Sequence, residues 1–241
     1  MNVKQFAEEA LTVNIGNSVD EKINKQLVRL KSAVEEMNIE GVTDIVLSYT
    51  SMIVYFDVMK TDVKELKASL GSIDINDLKT VPYSYKVVKI PVCYGGAFGP
   101  DLHTFNDGLS EEAVIELHSN KEYLVYMLGF MPGFPFLGGL NEKLHKARLD
   151  SPRTKIPAGS VGIGGQQTGM YPFDSPGGWN LLGRTPIPLY DSQREPAILY
   201  EAGDKIVYTA IDEEEYYKIK EAYEKGDYEV EVEYRGDENG A

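Results

Sequence analysis

Apolar positions in the first eighty residues alternate between strand-like and helix-like spacing. ALTVNI, residues 10–15, reads as a short strand ended by Gly16, with Asn17 or Ser18 placed to cap the next helix. That helix runs to about Met37, carrying Ile23, Leu27, Leu30 and Val34 on one stripe. After Gly41, VTDIVLSY and SMIVYFDVM are β-rich and close enough for a hairpin. Thr61 or Asp62 then caps a second helix with Val63, Leu66 and Leu70, ended at Gly71, and a further turn is expected near Ile75–Leu78. The order β-α-β-β-α opens a split βαβ pattern, whose closing strand is expected near Tyr83–Val88.

Past Pro82 the texture becomes that of a β-barrel with structured loops. YKVVKIPVCY is a strand with Pro91 inside it, hence an edge or a bulge. Ser110 heads a short helix with Glu111 and Glu112 in its first turn and His118 in its last, where a cation would complement the helix dipole. EYLVYMLGF reads as a buried strand, and PAILY and KIVYTAI as two closing strands. Tyr216, Ile219 and Tyr223 share one face of a helix over residues 212–225, and DYEVEVEYR is an added edge strand or a tail. The expected division is 1–84, 85–212 and a C-terminal helix with acidic tail at 213–241, the first boundary lying at Pro82–Tyr85.

Charge narrows the function classes. The net charge is −14, with twelve acids and four bases in residues 212–241, so nucleic acid and anionic lipid are unsuitable general partners. Against that background residues 129–188 are locally basic, with six bases and three acids, and hold 12 of the 23 glycines and 8 of the 12 prolines. The single cysteine, Cys93, excludes an intramolecular disulfide and reads as a buried thiol. No secretory leader pattern opens the chain and no apolar run is long enough to span a bilayer, so a cytoplasmic protein is expected.

Several chemistries have no anchor. There is no P-loop and no G-x-S-x-G elbow, and the three histidines lack metal-ligand spacing, so no metal site is expected. GFMPGFPFLGGL is harder to read as packing alone, because its prolines hold Phe130, Phe134 and Phe136 in set directions. A preformed aromatic wall suits a pocket that must not lose entropy on binding, although the same residues could cover a barrel end. The run from Ser151 to Pro186 adds polar candidates: Gln166, Gln167, Thr168 and Ser175 as neutral partners, with Tyr171 and Trp179 beside them. Arg153 and Arg184 can grip a carboxylate or phosphate, each with a structural ion pair as its plain alternative. The glycines of 159–169 either expose backbone N–H groups to an anion or turn barrel corners. His118 is either a helix-end cation or a polar anchor of the pocket.

IPVCYGGAFGPDL, GFMPGFPFLGGL, PRTKIPAGSVGIGGQQTGMYP and SPGGWNLLGRTP resemble the signature blocks of the 5-oxoprolinase B-subunit family. That family is also called allophanate hydrolase subunit 1 and includes an inhibitor of a sporulation histidine kinase. The resemblance covers about residues 8–215, and DLHTFNDG and residues 226–241 depart from the family pattern. It implies an α+β chain, with a ferredoxin-like N-terminal domain and a cyclophilin-like C-terminal β-barrel. It further implies a non-autonomous hydrolase subunit that works with the C and A subunits of 5-oxoprolinase to open 5-oxo-L-proline to L-glutamate using ATP and Mg²⁺. Under it, Arg153, Arg184, Gln167 and Thr168 are the catalytic candidates. His118, Phe130, Phe134, Gln166, Tyr171, Ser175 and Trp179 line the pocket, with ATP shared with the C subunit. The alternative is kinase inhibition, with the barrel pocket gripping a histidine kinase.

Overall fold

The computed structural model describes residues 1–80, 83–105, 108–119 and 121–237. The described residues divide into two compact units, one of those within 1–85 together with 235–237 and one of those within 86–234. Of the expected boundary at Pro82–Tyr85, Pro82 lies outside the described residues, and the observed division falls between Tyr85 and Lys86.

The first unit orders β1 (Asn2–Ala7), β2 (Ala10–Asn14), α1 (Glu21–Glu36), β3 (Val42–Leu47), β4 (Ser51–Phe56) and α2 (Val63–Gly71). Its sheet is antiparallel in the order β1-β2-β4-β3. Strand β1 was not expected, since five of its six residues are exposed and it shows no buried alternation. It reaches β2 across a two-residue turn, so little loop entropy opposes the pairing. It also takes the β2 edge that the closing strand of the split βαβ pattern would occupy, and Tyr83–Val88 instead opens a strand of the second sheet. Asp20, rather than Asn17 or Ser18, caps α1. Its carboxylate accepts from the Lys22 N–H at 2.7 Å and adds negative charge at the positive end of the helix dipole. Asp62 caps α2 in the same way.

The second unit is built on a long sheet that curls nearly into a barrel. Its elements are β5 (Tyr83–Tyr94, from Lys86 onward in this unit), α3 (Glu111–His118), β6 (Glu122–Leu128), β7 (Pro135–Gly138), β8 (Arg153–Ile156), β9 (Ser160–Gly164), β10 (Gln167–Met170), β11 (Ser175–Gly177), β12 (Asn180–Arg184), β13 (Lys205–Ile211), α4 (Glu213–Lys225) and β14 (Val232–Asp237, as far as Tyr234 in this unit). The order is β10-β9-β12-β5-β13-β6-β7, with β14 also on β5, and the end strands β7 and β10 lie against each other. Strands β8 and β11 make a separate small pair. The interior is filled by Val88, Ile90, Val125, Leu137, Val161, Ile163, Leu182 and Ile206, with tyrosines among them.

Pro91 sits mid-sheet, not on an edge strand. On one side residues 87–93 of β5 pair with β13; on the other, Glu231, just before β14, meets it at Lys89 and β12 meets it at Cys93–Tyr94. Lys89 donates its N–H toward β14, so by alternation the missing N–H of Pro91 faces the gap between these two partners. PAILY is not a strand; only an isolated bridge joins Tyr190 and Ile198. DYEVEVEYR supplies β14, an added strand and not a free tail, and α4 belongs to the second unit.

Candidate functional site

The aromatic segment and the glycine-rich hairpin meet on one face of the second unit. Phe130, Phe134, Phe136, Arg148, Tyr171, Trp179 and residues 176–178 line a cavity of about 180 Å³. Phe134 is its hub, edge-on to Phe130 at 5.5 Å, Tyr171 at 5.4 Å and Trp179 at 5.6 Å. Such edge-to-face contacts fix ring planes and keep the wall formed before anything binds.

Glycine makes the space for this wall. A β-carbon at Gly164 would fall 2.3 Å from the Trp179 indole nitrogen, and one at Gly169 would come 3.1 Å from the same ring. The hairpin glycines thus seat the tryptophan, a role that neither the anion nest nor the barrel corner anticipated. Phe130 sits at the mouth, 71% exposed, with φ +69 at the centre of a turn in which the Met131 N–H donates to the Gly129 carbonyl at 2.8 Å. A phenylalanine in the left-handed region is strained. Arg148, exposed, holds its guanidinium 5.9 Å from the Trp179 ring and gives the rim a positive charge. Burial raises the Tyr171 phenol pKa, opposed by Arg148 and Arg153, so Tyr171 enters the cavity as a neutral hydroxyl.

The other expected site residues lie apart from the cavity. Arg153 is engaged internally: Nη2 donates to Asp101 at 2.6 Å and Nη1 to the Trp179 carbonyl at 3.2 Å. Asp101 also accepts from the Leu181 N–H at 2.7 Å, so the pair clamps the strand that carries Trp179. The ion-pair reading of Arg153 is therefore what its contacts show. Lys155 pairs with Asp174 at 2.7 Å; that bond, with the Ala158 N–H, holds the Asp174 carboxyl below its usual pKa. Gln166 is exposed and Gln167 half-buried opposite Gly164, and neither lines the cavity. Ser175 pairs with Ile156.

His118 and Thr168 come together in the barrel interior. His118 is fully buried, stacked on Tyr208 at 4.8 Å, with Nδ1 2.8 Å from the Tyr94 hydroxyl and Nε2 2.7 Å from Thr168 Oγ1. Thr168 donates to the Gly162 carbonyl at 3.1 Å, so it accepts from Nε2–H, and Nδ1 accepts from Tyr94. Burial lowers the His118 pKa to about 3. It is a neutral anchor of the barrel, and the helix-end cation expected of it is excluded by desolvation. Cys93 is buried and its pKa is raised, first by desolvation.

The carboxyltransferase domain, subdomain C and D, family model matches residues 1–200. The 5-oxoprolinase B subunit of Bacillus subtilis (strain 168) is 40% identical over 238 residues, covering 91% of this chain and 96% of that protein. The protein of that name from Haemophilus influenzae is 38% identical over 209 residues, covering 86% and 96%. The chain belongs to the 5-oxoprolinase B-subunit family. Among solved structures, TTHA0988 superposes with a TM-score of 0.74 at 35% identity, covering 84% of this chain, which spans about two fifths (40%) of the TTHA0988 chain.

The resemblance implies ATP with Mg²⁺, and Mg²⁺ calls for clustered carboxylate ligands. Among the described residues, no three carboxylate, histidine or cysteine side chains gather as a metal site. Three of the six cations of the basic window are engaged: Arg153 to Asp101, Lys155 to Asp174, and Lys146 to the Thr104 carbonyl. What this 5-oxoprolinase B-subunit relative does present is the aromatic cavity with Arg148 at its rim. Asp101, Arg148 and Tyr94 were missed as structural or site residues. Asp101 stood in the GPDL block and Arg148 in the basic window, but only the fold shows what each one faces.

Proposed function

We propose that this chain is a non-autonomous subunit of an ATP-dependent hydrolase that opens 5-oxo-L-proline to L-glutamate, working with the C and A subunits of 5-oxoprolinase. The observation that carries the reading is the end-to-end similarity to the 5-oxoprolinase B subunit of Bacillus subtilis. In this reading the two units are a ferredoxin-like domain and a cyclophilin-like barrel. The aromatic cavity receives the lactam ring, for which about 180 Å³ is a suitable scale, since pockets for drug-sized ligands begin near 300 Å³. Ring faces pack against Phe134 and Trp179, while Arg148 attracts the substrate carboxylate. A dry aromatic wall excludes water from the amide until activation has occurred. In this reading the nucleotide and its Mg²⁺ are held chiefly by a partner chain, three of the six cations of the basic window being engaged within this one.

The test is glutamate formation from 5-oxo-L-proline and ATP by the three purified subunits, with each omitted in turn. Glutamate should form only in the complete mixture. Turnover by this chain alone, or full activity of the C and A subunits without it, would overturn the proposal.

A further inference from the structure

Arg184 is a cation with no close ion pair, although its charge helps to hold the nearby Asp174 carboxyl below its usual pKa. It stands half-buried on β12 in a chain with 38 acidic residues, yet among the described residues it has no ion pair. Its Nε is buried with no hydrogen-bond partner, and Nη2 donates a long bond to the Ala97 carbonyl, at 3.4 Å. The guanidinium is nonetheless held in place. Its carbon lies 5.8 Å from the centre of the Phe98 ring, and its side chain also hydrogen-bonds the Tyr216 hydroxyl, so the orphaned donor is Nε.

Ser160 is the cross-strand partner of Arg184 on β9, and directly opposed residues of an antiparallel pair project to the same face. Its neighbour Val161 belongs to the barrel core, so Ser160 and Arg184 point outward. Ser160 is 0% exposed, and its hydroxyl oxygen is also buried without a partner. Two orphaned polar groups therefore sit side by side on one wall. On the other side of Arg184, Cys93 packs with Phe98 and Tyr216, and its burial keeps the thiol protonated and uncharged. The acids around this wall are Asp174, paired with Lys155 and felt at longer range by Arg184, Asp212, occupied in capping α4, and Glu213 at the start of α4.

A buried donor without an acceptor is costly, and more so when it carries charge. An apolar side chain would close the same outer wall without that cost. One planar or tetrahedral oxyanion would satisfy the Nε–H and the serine hydroxyl together, as charge-assisted bonds. We propose that Arg184 and Ser160 form a binding site for a single small oxyanion, a phosphate or carboxylate group, on the outer wall of the barrel. The site does not depend on the lactam being the substrate.

The experiment follows the Arg184 side-chain Nε–H and the Ser160 amide by nitrogen-15 NMR on the full chain. Inorganic phosphate or acetate is titrated in at constant ionic strength set by chloride. A saturable shift is expected with at least one probe: phosphate alone identifies a phosphoryl group as the ligand, acetate alone a carboxylate, and both a general oxyanion site. The shift should vanish in Arg184→Met, fall about tenfold in affinity in Ser160→Ala, and persist in Arg148→Met. Arg184→Lys, which keeps charge but loses the planar donor edge, should also bind more weakly. Should Arg184→Met melt early, Ser160→Ala and Arg184→Lys decide the matter. No saturable shift with either probe, the same shift with chloride alone, or wild-type affinity in folded Arg184 and Ser160 variants would overturn the site.

Discussion

The clamp between Asp101 and Arg153 gives the sharpest energetic prediction. Asp101 is buried and spends both carboxylate oxygens, one on Arg153 at 2.6 Å and one on the Leu181 N–H at 2.7 Å. In Asp101→Asn the amide nitrogen must face one of these two donors. The change therefore orphans a buried N–H, about 1–3 kcal/mol, and weakens a charge-assisted bond, about 1.5–3 kcal/mol before relaxation. A net loss of about 3 kcal/mol follows. Arg153→Lys keeps the charge but cannot reach both Asp101 and the Trp179 carbonyl, and should cost about 1–2 kcal/mol. The two changes act on one contact, so the double variant should be less destabilised than the sum, by about 1.5 kcal/mol or more. The assay is urea unfolding followed by the fluorescence of Trp179, the single tryptophan, which reports on the second unit alone. Additivity within about 0.5 kcal/mol would show that Asp101 and Arg153 are not a coupled clamp, and would return Arg153 to the pool of anion-binding candidates.

His118 should make the barrel acid-sensitive. Its folded pKa of about 3 lies below the ordinary 6.5, so the unfolded chain takes up the proton first. Its contribution is complete above pH 6.5 and is lost progressively as the pH falls toward 3. Between pH 6.5 and about 5, where most carboxylates stay ionised, wild-type stability should fall more steeply than that of His118→Gln, by up to about 1.4 kcal/mol per pH unit; equal slopes in urea melts would refute this. Gly164→Ala forces a methyl group onto the Trp179 indole, and should cost about 1–3 kcal/mol and shift tryptophan emission toward that of an exposed indole. Unchanged emission and stability would mean the ring is not seated on the glycine surface.

Legibility in the sequence followed how local the physics was. Of the stripe Ile23, Leu27, Leu30 and Val34, the last three are buried and Ile23 is half-buried, and Ser110 and Asp212 cap helices that stand within a residue of their expected ends. The failures are non-local. Strand β1 is nearly all exposed and pairs only because β2 is two residues away, which no apolar period reveals. Pro91 looked like an edge marker because a sequence cannot show that two different strands flank a gap on one side of β5. In the candidate site, the prolines and phenylalanines of GFMPGFPFLGGL did mark the wall: Phe130, Phe134, Tyr171 and Trp179 line one cavity. Residue type could not separate Arg153, committed to Asp101, from Arg148, which faces the cavity. Nor could it show that the same barrel would bury His118 as a neutral ring.

Phe130 offers the most direct test of the aromatic cavity as the working part of this protein. It is 71% exposed at φ +69, so Phe130→Gly removes a wall of the cavity while relieving backbone strain. In the complete three-subunit mixture, with assembly verified by size-exclusion chromatography, kcat/KM for 5-oxo-L-proline should fall by about tenfold or more, equivalent to about 1.4 kcal/mol of lost transition-state stabilisation. The melting temperature of the variant should be equal to or above that of the wild type. Wild-type kcat/KM in a fully assembled Phe130→Gly complex would contradict the account.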